Sequence, residues 1–178
     1  MSSLPNLSEN VDVLIDAETI ARRVRELAAR IEEDHRGKDT VIVGVLKGSV
    51  LFVADLVREI DLPISLDFLG VSSYGDATET SGVVRITSDL SRPVEGKHVV
   101  IVEDIVDSGL TIHFLLANLA SREPASLKVC TLLHKPARAR VQVPLDYVGF
   151  EVEDRFLVGY GLDHAEKYRN LPFIAVVP

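Results

Sequence analysis

One cysteine, one methionine and no tryptophan stand among the 178 residues. A lone thiol excludes an intrachain disulfide framework. Cys130, inside SLKVCTLL, reads as a small buried hydrophobe rather than a reactive thiol. No apolar run approaches the ~20 residues that cross a bilayer, so no membrane partner is expected. MSSLPNLSEN, at the start, has neither the basic beginning nor the apolar stretch of a signal peptide. A cytoplasmic location is therefore the expectation, and the sequon Asn6-Leu7-Ser8 reads as chance. There is no run of lysine and arginine, and the net charge of −8 argues against a surface that coats nucleic acid. No Walker A pattern occurs, and the Gly159-Tyr160-Gly161 stretch has His164 where a dinucleotide fingerprint would carry its third glycine. Internal repeats and low-complexity tracts are also absent.

What is present is a globular composition, 47% apolar and 26% charged, at a length that suits one domain with a substantial core. Ile20, Val24, Leu27, Ala28 and Ile31 fall at helical spacing, which predicts a helix over 17–36 with Asp16 as its cap and Gly37 as its stop. TVIVGVL at 40–46 is a β-branched run suited to a strand buried on both faces. A helix is expected at 49–60, capped by Ser49, and a strand at 63–69. The polar segment 71–82 and the short strand VVRIT after it suggest a hairpin with a long mobile tip. HVVIV at 98–102, SLKVCTLLH at 126–134, YVGFEV at 147–152 and FIAVV at 173–177 read as strands, and 112–122 reads as a helix. Strands alternating with helices predict an α/β fold, a mainly parallel twisted sheet flanked by helices. The whole of 1–178 is expected to be one domain. Its core would span about 37–135, and a small lobe would come from about 1–16 together with 136–178.

The chemistry concentrates in VVIVEDIVDSGLT, 99–111. An apolar strand runs into two carboxylates, Glu103 and Asp104, and then into Asp107-Ser108-Gly109-Leu110-Thr111 ahead of a helix. Ligands of open α/β sheets sit beyond the carboxyl ends of the strands. If the strand breaks into a loop there, both acids can face the crevice. Adjacent anions are tolerable where a hydrated Mg²⁺ or a sugar diol satisfies them. The turn offers amide N–H groups, two hydroxyls and the positive end of a helix, which together suit a phosphate. Such a turn alone is usually only a helix cap, but two acids ending a buried strand are rarer as decoration. The combined ligand is a sugar phosphate.

This stretch resembles the phosphoribosyl-pyrophosphate signature of the type I phosphoribosyltransferases. Three further stretches resemble the hypoxanthine-guanine branch. GVLKGSVLF, 44–52, is similar to the branch's pyrophosphate loop, which implies pyrophosphate contacts from Leu46, Lys47 and Gly48 and a cis Leu46–Lys47 peptide. LLHKPARAR, 132–140, places Lys135 where the resemblance implies a donor to the 6-oxygen of the purine. A lysine there disfavours adenine, whose 6-amino group would meet donor with donor. YVGFEVEDRFLVGYGLDHAEKYRNLP, 147–172, resembles the C-terminal signature. It implies Phe156 stacking on the purine, Leu157 reading the base edge through its backbone, Asp163 near the base and on the metal, and Arg169 on pyrophosphate. Ser73-Tyr74 resembles a pair at the tip of a mobile loop that closes over the site.

The resemblance implies an enzyme of purine salvage. It would transfer the phosphoribosyl group from phosphoribosyl pyrophosphate to N9 of hypoxanthine or guanine, with Mg²⁺ as cofactor. Glu103 and Asp104 would hold the ribose diol and help organise the metal. Asp107 would be the acid/base, and Ser108, Gly109, Leu110 and Thr111 would cradle the 5′-phosphate. A homodimer or homotetramer is implied, with no nucleic-acid partner. The alternatives are a regulatory protein of the same fold that binds nucleotide and nucleic acid, and a superfamily enzyme with another base as acceptor.

Overall fold

A computed structural model describes residues 11–74 and 83–177. The chain runs through β1 (Asp12–Ile15), α1 (Ala17–His35), β2 (Thr40–Leu46), α2 (Val50–Glu59), β3 (Ser65–Tyr74) and β4 (Val83–Ser88). It continues through β5 (His98–Val106), α3 (Leu110–Ala120), β6 (Ser126–His134), a 3-10 turn at Pro136–Arg138, β7 (Tyr147–Glu151), β8 (Leu157–Val158) and β9 (Ile174–Val176). The main sheet has six strands in the order β4-β3-β2-β5-β6-β7. All its neighbouring strands are parallel except the β3–β4 hairpin. Parallel strands need crossovers, and α1, α2 and α3 supply cover on both faces.

The alternation of side chains along β2 and β5 builds two cores. Ile42, Val100 and Val102 join Ile20, Val24, Leu27, Phe52 and Leu56 from α1 and α2. Val41, Val43, Val45, Val99 and Ile101 point the other way, to Ile112, Leu115 and Leu119 of α3. Each such side chain contributes roughly 1.5–3 kcal/mol on burial. The expected cap of α1 is present: Asp16 accepts from the Thr19 N–H at 2.7 Å, and that bond holds its carboxyl below the ordinary range.

Several expectations need correction. Ser49 stands at the N-cap position of α2, but its side chain makes no capping bond; its hydroxyl donates back to the Val45 carbonyl at 2.6 Å. α3 begins at Leu110, two residues earlier than the spacing suggested, because Gly109 turns the chain abruptly. β5 does not stop at Val102; its ladder with β6 continues through Glu103–Thr131 to Val106–His134. The segment after 136 is divided, since β7 is the edge of the main sheet. The second sheet is antiparallel, β1-β9-β8. Its Ile15, Leu157, Ile174 and Val176 share one core with α1 and α2, so among the described residues this small lobe has no core of its own. Ser73 and Tyr74 are the last two residues of β3, paired with Val84 and Val83. Their backbone is at the end of a strand rather than at a loop tip, and 75–82 lie outside the described residues.

Candidate active site

The carboxyl ends of β2, β5 and β6 all open on one side of the sheet, as parallel order requires. At the end of β2 the Leu46–Lys47 peptide is cis. Gly48 follows, pressed against the acidic strand: a Cβ there would lie 1.8 Å from Asp104 Oδ2. No other residue fits that approach. The next neighbour is Gly161, where a Cβ would lie 1.9 Å from the Gly48 carbonyl oxygen.

At the end of β5, Glu103 is 7% exposed, and Asp104 accepts from the Ile105 N–H at 2.8 Å. Burial pushes both carboxyls up, Glu103 well above its ordinary range with the neighbouring Asp104 charge adding to the effect. Two desolvated anions side by side cannot both ionise cheaply. A cation or several hydroxyl donors would reverse that balance.

Gly109 begins α3 at φ 81, and a Cβ there would meet the Val141 carbonyl oxygen at 2.4 Å. That carbonyl belongs to the segment after the 3-10 turn, which also donates two backbone bonds to the Ser108 carbonyl, from Arg140 at 2.9 Å and Val141 at 3.1 Å. The loop after β5 is thus braced from outside as well as by its own turn.

Two cavities result. The first, about 300 Å³, takes in Leu46, Lys47 and Gly48, then Glu103 through Gly109, Thr111 and Arg169. The second, about 600 Å³, takes in Asp104, Asp107, Lys135, Phe156, Leu157 and Asp163. Asp104 and Asp107 belong to both. Lys135 is 7% exposed; its Nζ donates to the Arg155 carbonyl at 2.7 Å and lies 3.8 Å from Asp154. Phe156 is 56% exposed, with its ring edge to face with His164 at 5.1 Å between centroids. Asp163 is held by Arg169 at 2.8 Å and accepts from the Glu166 N–H at 2.8 Å.

The phosphoribosyl transferase domain model matches residues 10–165. The chain belongs to the phosphoribosyl transferase family. Within the family it is 50% identical to the hypoxanthine-guanine phosphoribosyltransferase of Mycobacterium tuberculosis H37Rv, over 93% of this chain and 85% of that protein. It is 48% identical to the hypoxanthine phosphoribosyltransferase of Haemophilus influenzae, over 94% of this chain and 96% of that one. The crystal structure of a hypoxanthine phosphoribosyltransferase from Staphylococcus aureus superposes with a TM-score of 0.94 at 42% identity, covering 99% of this chain and 97% of that one.

Of the site residues expected in this phosphoribosyltransferase, Leu110 lines neither cavity; its N–H faces the Ser108 hydroxyl at 3.4 Å. Glu103, Asp104 and Asp163 do not form a ready metal cage: among the described residues no group of three or more His, Cys, Asp or Glu does. The adjacent buried pair still suits Mg²⁺, which commonly takes one or two carboxylates and leaves its other positions to substrate and water.

Residues not singled out in the sequence also contribute. Arg138 Nε stands 3.0 Å from Asp107 Oδ1, without the alignment of a hydrogen bond, and its Nη1 is 3.4 Å from Asp154. Glu166 joins Lys47 to Arg169, and those cations hold its carboxyl below the usual range, Lys47 most strongly. Charged loop residues without periodicity carry no signal of what they will meet. For Arg138 the only hint was its place three residues after Lys135.

Proposed function

We propose that this chain transfers the 5-phosphoribosyl group from phosphoribosyl pyrophosphate to N9 of hypoxanthine or guanine. The products are IMP or GMP and pyrophosphate, and the reaction belongs to purine salvage. The observation that carries the reading is the shared wall of the two cavities, with Asp107 on it. A sugar phosphate lying along the first cavity would present its anomeric carbon to a base held in the second.

In the reaction a bond forms from N9 to C1 of the ribose, and the bond from C1 to the pyrophosphate oxygen breaks with its electron pair. The sugar passes through an oxocarbenium-like state. Asp107 accepts the N7 proton of the base. The amides and hydroxyls of Ser108–Thr111, backed by the α3 dipole, hold the 5′-phosphate. Glu103 and Asp104 hold the ribose diol. Lys47, Gly48 and Arg169 bind the pyrophosphate. Lys135 exchanges its Arg155 carbonyl for the 6-oxygen of the base, Phe156 stacks on the ring, and Leu157 reads its edge. Glu103, Asp104 and Asp163 are the residues that would hold Mg²⁺, which when bound neutralises the charge of the departing pyrophosphate.

The proposal extends to a homodimer or homotetramer, tested by light scattering, and to a cytoplasmic location, tested by cell fractionation. No helix among the described residues is long and apolar enough to cross a membrane. The deciding experiment supplies phosphoribosyl pyrophosphate and Mg²⁺ with hypoxanthine, guanine, adenine, uracil or orotate in turn. Nucleotide from the first two alone is expected. Product only from another base would replace this reading with that of a different acceptor.

A further inference from the structure

Glu166 sits on a tight turn in contact with Lys47 and Arg169, two residues that line the first cavity. His164 and Lys167 exchange backbone hydrogen bonds, each 3.1 Å. Ala165 and Glu166 occupy the left-handed region at φ 50 and 63, a conformation that side chains other than glycine adopt only when held there. Asp163 supplies the hold by accepting from the Glu166 N–H at 2.8 Å. The turn aims the Glu166 carboxylate at the two cations of this cavity. Oε2 lies 3.0 Å from Lys47 Nζ, and Oε1 lies 3.4 Å from Arg169 Nη2. Lys47 comes from the end of β2, 119 residues away in the chain, so the contact is made only by the fold.

We propose that Glu166 is a built-in competitor for pyrophosphate: its carboxylate occupies Lys47 and Arg169, and the incoming diphosphate has to displace it. The inference rests on the reading of Lys47 and Arg169 as the pyrophosphate cations. A carboxylate and a phosphate oxygen are interchangeable partners for an ammonium or a guanidinium. The pair is well exposed, 69% for Lys47 and 67% for Glu166, so the displaced contacts are weak ones, which water screens. That suits the purpose: each turnover has to release pyrophosphate, and a carboxylate tethered beside the cations recaptures them as the product leaves. Glu166 therefore lowers affinity at both ends of the cycle and speeds product release.

The test is calorimetric titration with inorganic pyrophosphate in Mg²⁺. Glu166→Gln is expected to bind pyrophosphate about two- to fivefold more tightly than the natural protein. Glu166→Asp keeps the charge but loses reach to one cation, and is expected to bind more tightly by a smaller factor. Both gains should shrink at high salt. Unchanged or weaker binding by Glu166→Gln, in a protein that melts like the natural one, would overturn the proposal. So would a gain in Glu166→Gln with none in Glu166→Asp, since that pattern belongs to long-range charge rather than contact. The underlying assignment is checked separately with Lys47→Met and Arg169→Gln. If neither weakens pyrophosphate binding, the cations were misassigned and the assignment fails first. If they do weaken it and Glu166→Gln brings no gain, only the competitor role falls.

Discussion

Asp107 and Lys135 face one cavity with opposite chemistry. An acid/base side chain works in the transition state, whereas a donor to the 6-oxygen works on the bound base as well. Asp107→Ala is therefore expected to lower kcat by about 10²–10⁴ with a smaller change in KM. Lys135→Ala is expected to raise KM for hypoxanthine and to erode the preference for it over adenine. Steady-state kinetics with both bases reads each effect, and an unchanged preference in the lysine variant would remove its assigned role. Gly48 makes a sharper case, because it has no side chain to lose. A Cβ there overlaps Asp104 Oδ2 at 1.8 Å, so Gly48→Ala must shift either the β2 loop or the acidic pair. Loss of kcat/KM by at least about tenfold is expected, with little change in secondary structure by circular dichroism.

At the scale of elements, the loop between β5 and α3 depends on a neighbour remote in sequence. Gly109 combines φ 81 with the Val141 carbonyl 2.4 Å from where a Cβ would be. Gly109→Ala is expected to cost about 1–3 kcal/mol and to raise KM for phosphoribosyl pyrophosphate, read by urea titration and by kinetics. Much at this scale was legible beforehand. β2 at 40–46 and β6 at 126–134 fall where the apolar runs lie, since a strand buried on both faces writes itself as an uninterrupted run. β1 and β8 were not legible: at four and two residues neither is long enough to show a period, and each exists only because β9 lies between them. β5 was read short because Glu103 and Asp104 look like the end of a buried strand. They remain in its line because the ladder to β6 continues past them.

For the whole molecule, the far end of the sheet holds a titratable group that the reaction does not use. His35 is buried on α1, its Nδ1–H donating to the Ile31 carbonyl at 2.9 Å. The rings of His98 and Tyr147 lie near it, with Lys128, Lys38 and Asp34 as its charged neighbours. Burial pulls its pKa below 6.5. A depressed folded-state value means that the unfolded chain takes up the proton first. The contribution of His35 is thus complete above 6.5 and is lost as pH falls from there through the folded value. Glu103, whose pKa is raised above 4.5, slopes the opposite way and loses its contribution as pH rises. The histidine is therefore read as a difference: the stability gap between the natural protein and His35→Gln should narrow as pH is lowered from about 7 to about 5. A gap independent of pH would show that His35 does not titrate in folding.

The sequence by itself determined the layered α/β plan, the placement of the acids and the small-residue turn beyond a buried strand, and the family that pattern resembles. These are local features, set by periodicity and by short motifs. Only the tertiary structure decided which loops meet: Gly48 against Asp104, Val141 behind Gly109, Glu166 between Lys47 and Arg169. Those contacts join residues far apart in the chain. Their partners are chosen by how strands and helices pack, which no single stretch of residues encodes.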